Sequence, residues 1–179
     1  MQPESYLENA IHEFRKMKEL ADKAMARITN EDFFAPLGEE SNSIAIIVKH
    51  MAGNLRSRWM DFLTSDGEKP DRHRESEFVM EGGDTRDSLL ARWEAGWRYL
   101  FDALMPLTPE DLNRAILIRS EPHTVMQAIN RQLTHYAYHI GQIVFLARHY
   151  AGGDWQSLSI PRGKSETFNT MMREKTRKE

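Results

Sequence analysis

Four long stretches of this chain repeat their apolar residues at helical spacing, which restricts the fold to packed amphipathic helices. The first, Pro3 to Thr29, carries Tyr6, Ala10, Ile11, Phe14, Met17, Ala21, Ala24, Met25 and Ile28 with charged residues between them. The second runs from Ile44 to about Thr64 behind Ser43, a residue type that suits an N-cap. Its stripe is Ile44, Ile47, Val48, Met51, Leu55, Trp59 and Phe62. The third follows a cap at Asp84 or Thr85 and buries Leu89, Leu90, Trp93, Trp97, Leu100, Phe101 and Leu104. The fourth extends from about Val125 to Tyr150 and stops at Gly152 and Gly153. The expectation is an all-α fold, a four-helix bundle.

Between these segments, "TNEDFFAPLGEE" reads as a turn. Thr64 to Asp84, "TSDGEKPDRHRESEFVMEGGD", has the Gly, Pro and charge density of a long surface loop. Its length fits a lid or pocket wall, and fits a merely solvated connection equally well. Pro106 and Pro109 end the third helix, and "RAILIRSEPHT", Arg114 to Thr124, alternates like a short extended piece or hairpin before the fourth. From Asp154 the chain turns polar, with Trp155, Ile160 and Phe168 as anchors. The closing "REKTRKE" reads as a solvated or frayed end. Residues 1–179 are expected to form one domain, with 154–179 as a polar extension.

Composition removes several function classes. Cysteine is absent, which excludes disulfides, a cysteine nucleophile and thiolate metal ligands. The formal net charge is −3 and the basic residues are dispersed, against a dedicated nucleic-acid surface. No apolar run approaches a bilayer span, and "MQPESYLENAIHEFRK" lacks a basic region followed by an apolar block. A cytoplasmic protein without membrane or nucleic-acid partners is the simplest expectation.

The chemistry concentrates in "LTHYAYHIGQI", where His135 and His139 stand four residues apart on the fourth helix. They differ by about 40° around the helix and about 6 Å along it, so two imidazoles can reach one metal ion. Seven histidines among 179 residues give about 0.27 such pairs by chance, so spacing alone does not separate ligands from incidental neighbours. Tyr136 stands where "HExxH" needs glutamate, which excludes a zincin-type protease. Taking Ile129, Leu133, Ala137, Ile140, Val144 and Ala147 as the buried stripe puts its centre about 150° from His135, so the pair flanks the core. Ala128, Arg131, Tyr138, Gln142 and Leu146 share the histidine face.

A catalytic metal commonly takes three protein ligands and keeps a position open. His149 is about 21 Å from His135 along the helix, too far to share an ion. His12 falls off its helix's apolar stripe, and His73 and His123 lie in the connections. His50 remains, at the edge of the second helix's stripe, with Asn54 and Arg58 following at i+4 and i+8. Those two suit a ligand-facing or supporting role, and equally a solvated border. "RGKS", Arg162 to Ser165, is rejected as a phosphate loop, because Leu158 occupies the required glycine position.

"KHMAGN" and "HYAYHIGQI" resemble the two signature parts of the DinB/YfiT-like metalloenzyme superfamily, a histidine on the second helix of a bundle and an HxxxH pair on the fourth. "GNLRSRWMDFLTSDGEKP", "TVMQAINRQLTHYAYHIGQIVFLA" and "SIPRGKSETFN" are similar to a branch of that superfamily of unknown function. The resemblance implies a divalent ion, zinc or nickel, held by His50, His135 and His139, and a homodimer. It further implies a small-molecule substrate, with transfer of a low-molecular-weight thiol to an electrophile, or hydrolysis of a small substrate, as reactions. Asn54, Arg58, Tyr138 and Gln142 are the expected pocket or supporting residues, and no catalytic residue is assigned beyond the ligands. The rival class is a non-catalytic helical dimer that binds metal or a small ligand in a stress or sensing role.

Overall fold

A computed structural model describes residues 3–177. Most of them are helical: α1 Pro3–Met25, α2 Asn30–Phe34, α3 Ile44–Trp59, α4 Arg86–Leu104, α5 Val125–Ala151 and α6 Ser165–Thr176. A two-stranded antiparallel hairpin, β1 Ala115–Ile118 with β2 Glu121–Thr124, precedes α5. Among the described residues, no helix is long and apolar enough to cross a membrane.

The four periodic segments are α1, α3, α4 and α5, and their stripes meet in one core. α3 lies along α4 and α1 along α5, while α3 also touches α5 and α1 touches α4. Phe14, with no exposed surface, sits where the four meet. Its ring lies 6.1 Å from Trp59 of α3, 6.4 Å from Trp97 of α4 and 5.9 Å from Tyr136 of α5. Buried aromatics of this kind carry a polar tip that needs a partner. Here Trp59 Nε1 donates to Tyr136 Oη at 3.0 Å, and that hydroxyl donates to Asn54 Oδ1 at 3.0 Å.

Side-chain caps set the helix starts, as the residue types suggest. Ser43 Oγ accepts the Ile46 N–H, and Thr85 exchanges reciprocal bonds with Ser88, as Thr124 does with Gln127. Gly152 closes α5 at φ 52°, a conformation that a side chain resists.

Three expectations need correction. α1 ends at Met25 and not Thr29, because Thr29 instead caps α2 inside the supposed turn through reciprocal bonds with Asp32. α3 ends at Trp59 and not Thr64. Asp61 adopts φ 50° there, and its carbonyl takes the N–H groups of Thr64 and Ser65, each at 3.0 Å. The polar extension contains a helix, α6, none of whose described residues is buried. Of the three anchors only Trp155 packs on the core, with the Arg27 guanidinium 5.3 Å over its ring. Ile160 and Phe168 are 40% and 37% exposed. Arg173 to Thr176 of "REKTRKE" belong to exposed α6, and Lys178 and Glu179 lie outside the described residues.

The segment after α3 is tied to the hairpin. Arg119 and Ser120 form its two-residue turn at φ 56° and 64°, which non-glycine residues adopt at a cost. Asp66 offsets that cost by accepting the Arg119 N–H at 2.8 Å and the Ser120 N–H at 2.7 Å. Gly67 N–H adds a 2.8 Å bond to the Leu117 carbonyl. Burial disfavours the charge on Asp66, but the N–H donors of Glu68, Ser120 and Arg119 outweigh it and hold its carboxyl below its ordinary value of 3.8. A depressed carboxylate stabilises the fold above its unfolded pKa and loses that contribution as pH falls through the folded value. The clamp is therefore expected to persist at neutral pH and to release below pH 3.8. Amide shifts of Arg119 and Ser120 should titrate there, and Asp66→Asn should abolish that titration.

Candidate metal centre

The buried face of α5 differs from the expected stripe. Val125, Ile129, Gln132, Tyr136, Ile140 and Ile143 are buried, Ala137 is exposed, and Leu133 and Val144 are half-buried. With Ala128, Leu146 and Ala147, also buried, this face centres about 80° from His135 on the helical wheel and not about 150°. Tyr136 joins this face because its hydroxyl finds Asn54 and Trp59, which lets the ring occupy the core. The rotation brings His135 and His139 closer to the interior, and both are half-buried.

His50 of α3 faces them. Its ring centroid lies 5.6 Å from that of His135 and 5.0 Å from that of His139, and the α5 pair is 4.7 Å apart. One nitrogen from each of the three lies within 4.8 Å of the others. His135 Nε2 and His139 Nε2 are 3.1 Å apart. Two ligands of one tetrahedral zinc ion stand about 3.3 Å apart, so the donor spacing fits a single ion.

His50 is only 5% exposed, deeper than a border position implies, because the segment after α3 covers its outer side. Within that segment the short helical turn Arg74–Phe78 brings the Phe78 ring to 4.9 Å from the His50 ring. It also places Glu77 Oε2 2.8 Å from His50 Nδ1. The long loop is thus a wall of the site. Glu77 in turn takes two bonds from Arg72, from Nε to Oε1 at 2.8 Å and from Nη2 to Oε2 at 2.9 Å.

These partners fix the tautomers. Burial opposes the charge on Glu77, but the bonds from His50 and Arg72 prevail and hold its carboxyl below the usual range. A carboxylate only accepts, so His50 donates from Nδ1, and Nε2 is the nitrogen left to meet an ion. Gln142 Oε1 accepts likewise from His139 Nδ1 at 2.8 Å. Burial, reinforced by the neighbouring His139 and His50, pushes His135 down to about 3. Burial also lowers His139, against the Gln142 bond. Imidazoles oriented by acceptors on their far nitrogens, as His50 and His139 are, suit a divalent cation.

Gly53 explains the glycine in "KHMAGN". A methyl group there would overlap the Glu77 carboxylate, at 2.7 Å from its carboxyl carbon. Gly→Ala inside a helix ordinarily stabilises by about 1 kcal/mol. Gly53→Ala is nevertheless expected to weaken metal binding by displacing Glu77 from His50. A competition titration with a chromogenic chelator checks this, and unchanged affinity would refute it.

A cavity of about 410 Å³ opens beside the histidines, lined in part by His50, His135, Asn54, Arg58 and Tyr138. Asn54 is buried and engaged with Tyr136. Arg58 is 5% exposed and bonds the Gly67 carbonyl and Glu68. Tyr138 stands at the mouth, 64% exposed. Gln142 is not on the cavity surface and bonds the far side of His139. Glu77 and Arg72 escape a sequence reading, since nothing periodic connects them to His50. The one cue is a glycine in mid-helix three residues after that histidine.

Fold and site together define a predominantly helical protein whose three-histidine group could hold a metal ion. The chain belongs to the family DUF1572, described as a protein of unknown function, whose family model matches residues 2–164. No curated protein matches the chain. α6 begins at Ser165, just beyond the matched region.

Proposed function

We propose that this protein is a divalent-metal enzyme with a four-helix bundle of the DinB/YfiT-like kind, and that His50, His135 and His139 hold its ion. Zinc or nickel suits a site of three imidazoles. The observation that carries the reading is the convergence of three imidazole nitrogens within 4.8 Å, beside a cavity sized for a small molecule. An ion with a position open to that cavity supplies Lewis acidity, which lowers the pKa of a thiol or of water.

The chain's own residues hold and shield. Glu77 and Gln142 orient two of the imidazoles through their Nδ1 atoms. Phe78 and the 64–84 segment cover His50 and exclude water from that side. Because the chain has no cysteine, any reacting thiol belongs to the substrate. Transfer of a low-molecular-weight thiol to an electrophile is the reaction we favour, with hydrolysis of a small substrate as the second. The cavity beside the histidines favours an enzyme over a non-catalytic binding protein.

Elemental analysis of the purified chain beside His50→Ala tests the ligand set. About one divalent ion per chain is expected, largely lost in the variant. Unchanged metal content in the variant would refute the triad. Consumption of a small thiol with an electrophile, abolished by chelation, then tests the reaction.

A further inference from the structure

The cavity carries a charge that metal binding does not explain. Five arginines line it, Arg58, Arg72, Arg74, Arg119 and Arg131, and no carboxylate is among the described lining residues. The chain as a whole has a formal net charge of −3, so this is a local concentration.

Two of the five have a structural use. Arg72 pairs with Glu77, and Arg58 ties α3 to the following segment through the Gly67 carbonyl and Glu68. The acids behind the wall do not balance the set. Glu68 is shared among Arg58, Arg72 and Arg119, at 3.0, 3.4 and 3.1 Å. Arg74 pairs with its neighbour Glu75 and lies over the Phe78 ring, and Arg131 has no ion-pair partner among the described residues. Arg74, Arg119 and Arg131 come from three separate elements, the short helical turn, the hairpin turn and α5, yet converge on one mouth.

The cavity wall is also incompletely satisfied. Arg58 and Gln132 both line it and are 5% and 3% exposed. Arg58 Nε and Gln132 Oε1 are nevertheless buried without a hydrogen-bond partner among the described residues. Burial also disfavours the charge on Arg58, a cost that an anionic ligand would offset. An anionic oxygen can accept from Arg58 Nε, whereas Gln132 Oε1 is an acceptor and calls for a hydroxyl or N–H on the same ligand.

We propose that the cavity binds a small molecule bearing two or more anionic oxygen groups, carboxylate or phosphate, against Arg119 and Arg131. This rests on the metal-enzyme reading only in placing the ligand's reactive end at the histidines. Planar guanidinium forks match both headgroups through paired N–H donors, and a volume of about 410 Å³ limits the ligand to a small molecule.

The test is calorimetry on the full chain as purified, at fixed ionic strength. The probes are propane-1,2,3-tricarboxylate and propane-1,3-diol bisphosphate, with propane-1,2,3-tricarboxamide as the neutral control. At least one anion should bind and the neutral control should not, and the tighter anion identifies the headgroup. Arg119→Gln combined with Arg131→Gln should weaken binding about tenfold or more, with melting temperature and metal content unchanged. Binding of neither anion, or equal binding by the double variant, overturns the proposal even if the metal is present. Absence of metal with anion binding intact refutes the three-histidine reading alone and supports this one.

Discussion

Glu77→Ala is expected to lower both metal affinity and stability. Glu77 is 6% exposed and accepts from His50 Nδ1 and from Arg72. Its loss frees the His50 ring to rotate or change tautomer, and losing such a support typically reduces metal affinity about 10–100-fold. It also strips Arg72, whose side chain is 3% exposed, of its main partner and leaves only Glu68 at 3.4 Å. An uncompensated buried charge of this kind costs about 3–5 kcal/mol. Urea unfolding reads the stability and chelator competition reads the affinity. Pairing Glu77→Ala with Arg72→Met removes the stranded charge and should restore much of the stability without restoring affinity. If affinity recovers with stability, Glu77 only holds the loop and does not orient His50.

Phe14→Ala is expected to be the most damaging change away from the site. Phe14 has no exposed surface and touches an aromatic ring from each of the other three long helices. Truncation leaves a cavity that Trp59, Trp97 and Tyr136 cannot close, since each is itself fully packed. A loss of about 3–5 kcal/mol follows, lowering Tm by roughly 10 °C in a chain of this size. A loss below about 1 kcal/mol would mean that the core relaxes around the gap, contrary to this packing. Metal content at low temperature should be unaffected, because Phe14's ring partners are Trp59, Trp97 and Tyr136 and none of the three histidines.

The long helices are legible because each must bury a stripe, and Phe14, Leu55, Trp97 and Ile140 recur at the spacing that does so. α2 and α6 are not. α2 depends on one capping box at Thr29, and α6 buries no described residue, so neither leaves a periodic trace. The buried face of α5 lies about 70° from the apolar stripe because Gln132 and Tyr136 are buried while Ala137 is exposed, and a tyrosine's burial depends on distant partners for its hydroxyl. The same non-locality hides half of the site. His50, His135 and His139 share helical positions that sequence spacing can express. Glu77 reaches His50 only because an irregular segment folds back over Gly53, and that contact has no period to detect.

The ligand set itself is most directly tested by X-ray absorption at the edge of the bound metal, in the native chain and in His50→Ala. The native spectrum should contain the multiple-scattering pattern of three imidazoles, with nitrogens at about 2.0–2.1 Å if the ion is zinc. The variant should show two imidazoles, or no bound ion. A coordination sphere of oxygens alone, or an imidazole count that His50→Ala leaves unchanged, would contradict the assignment of His50, His135 and His139 as the metal ligands.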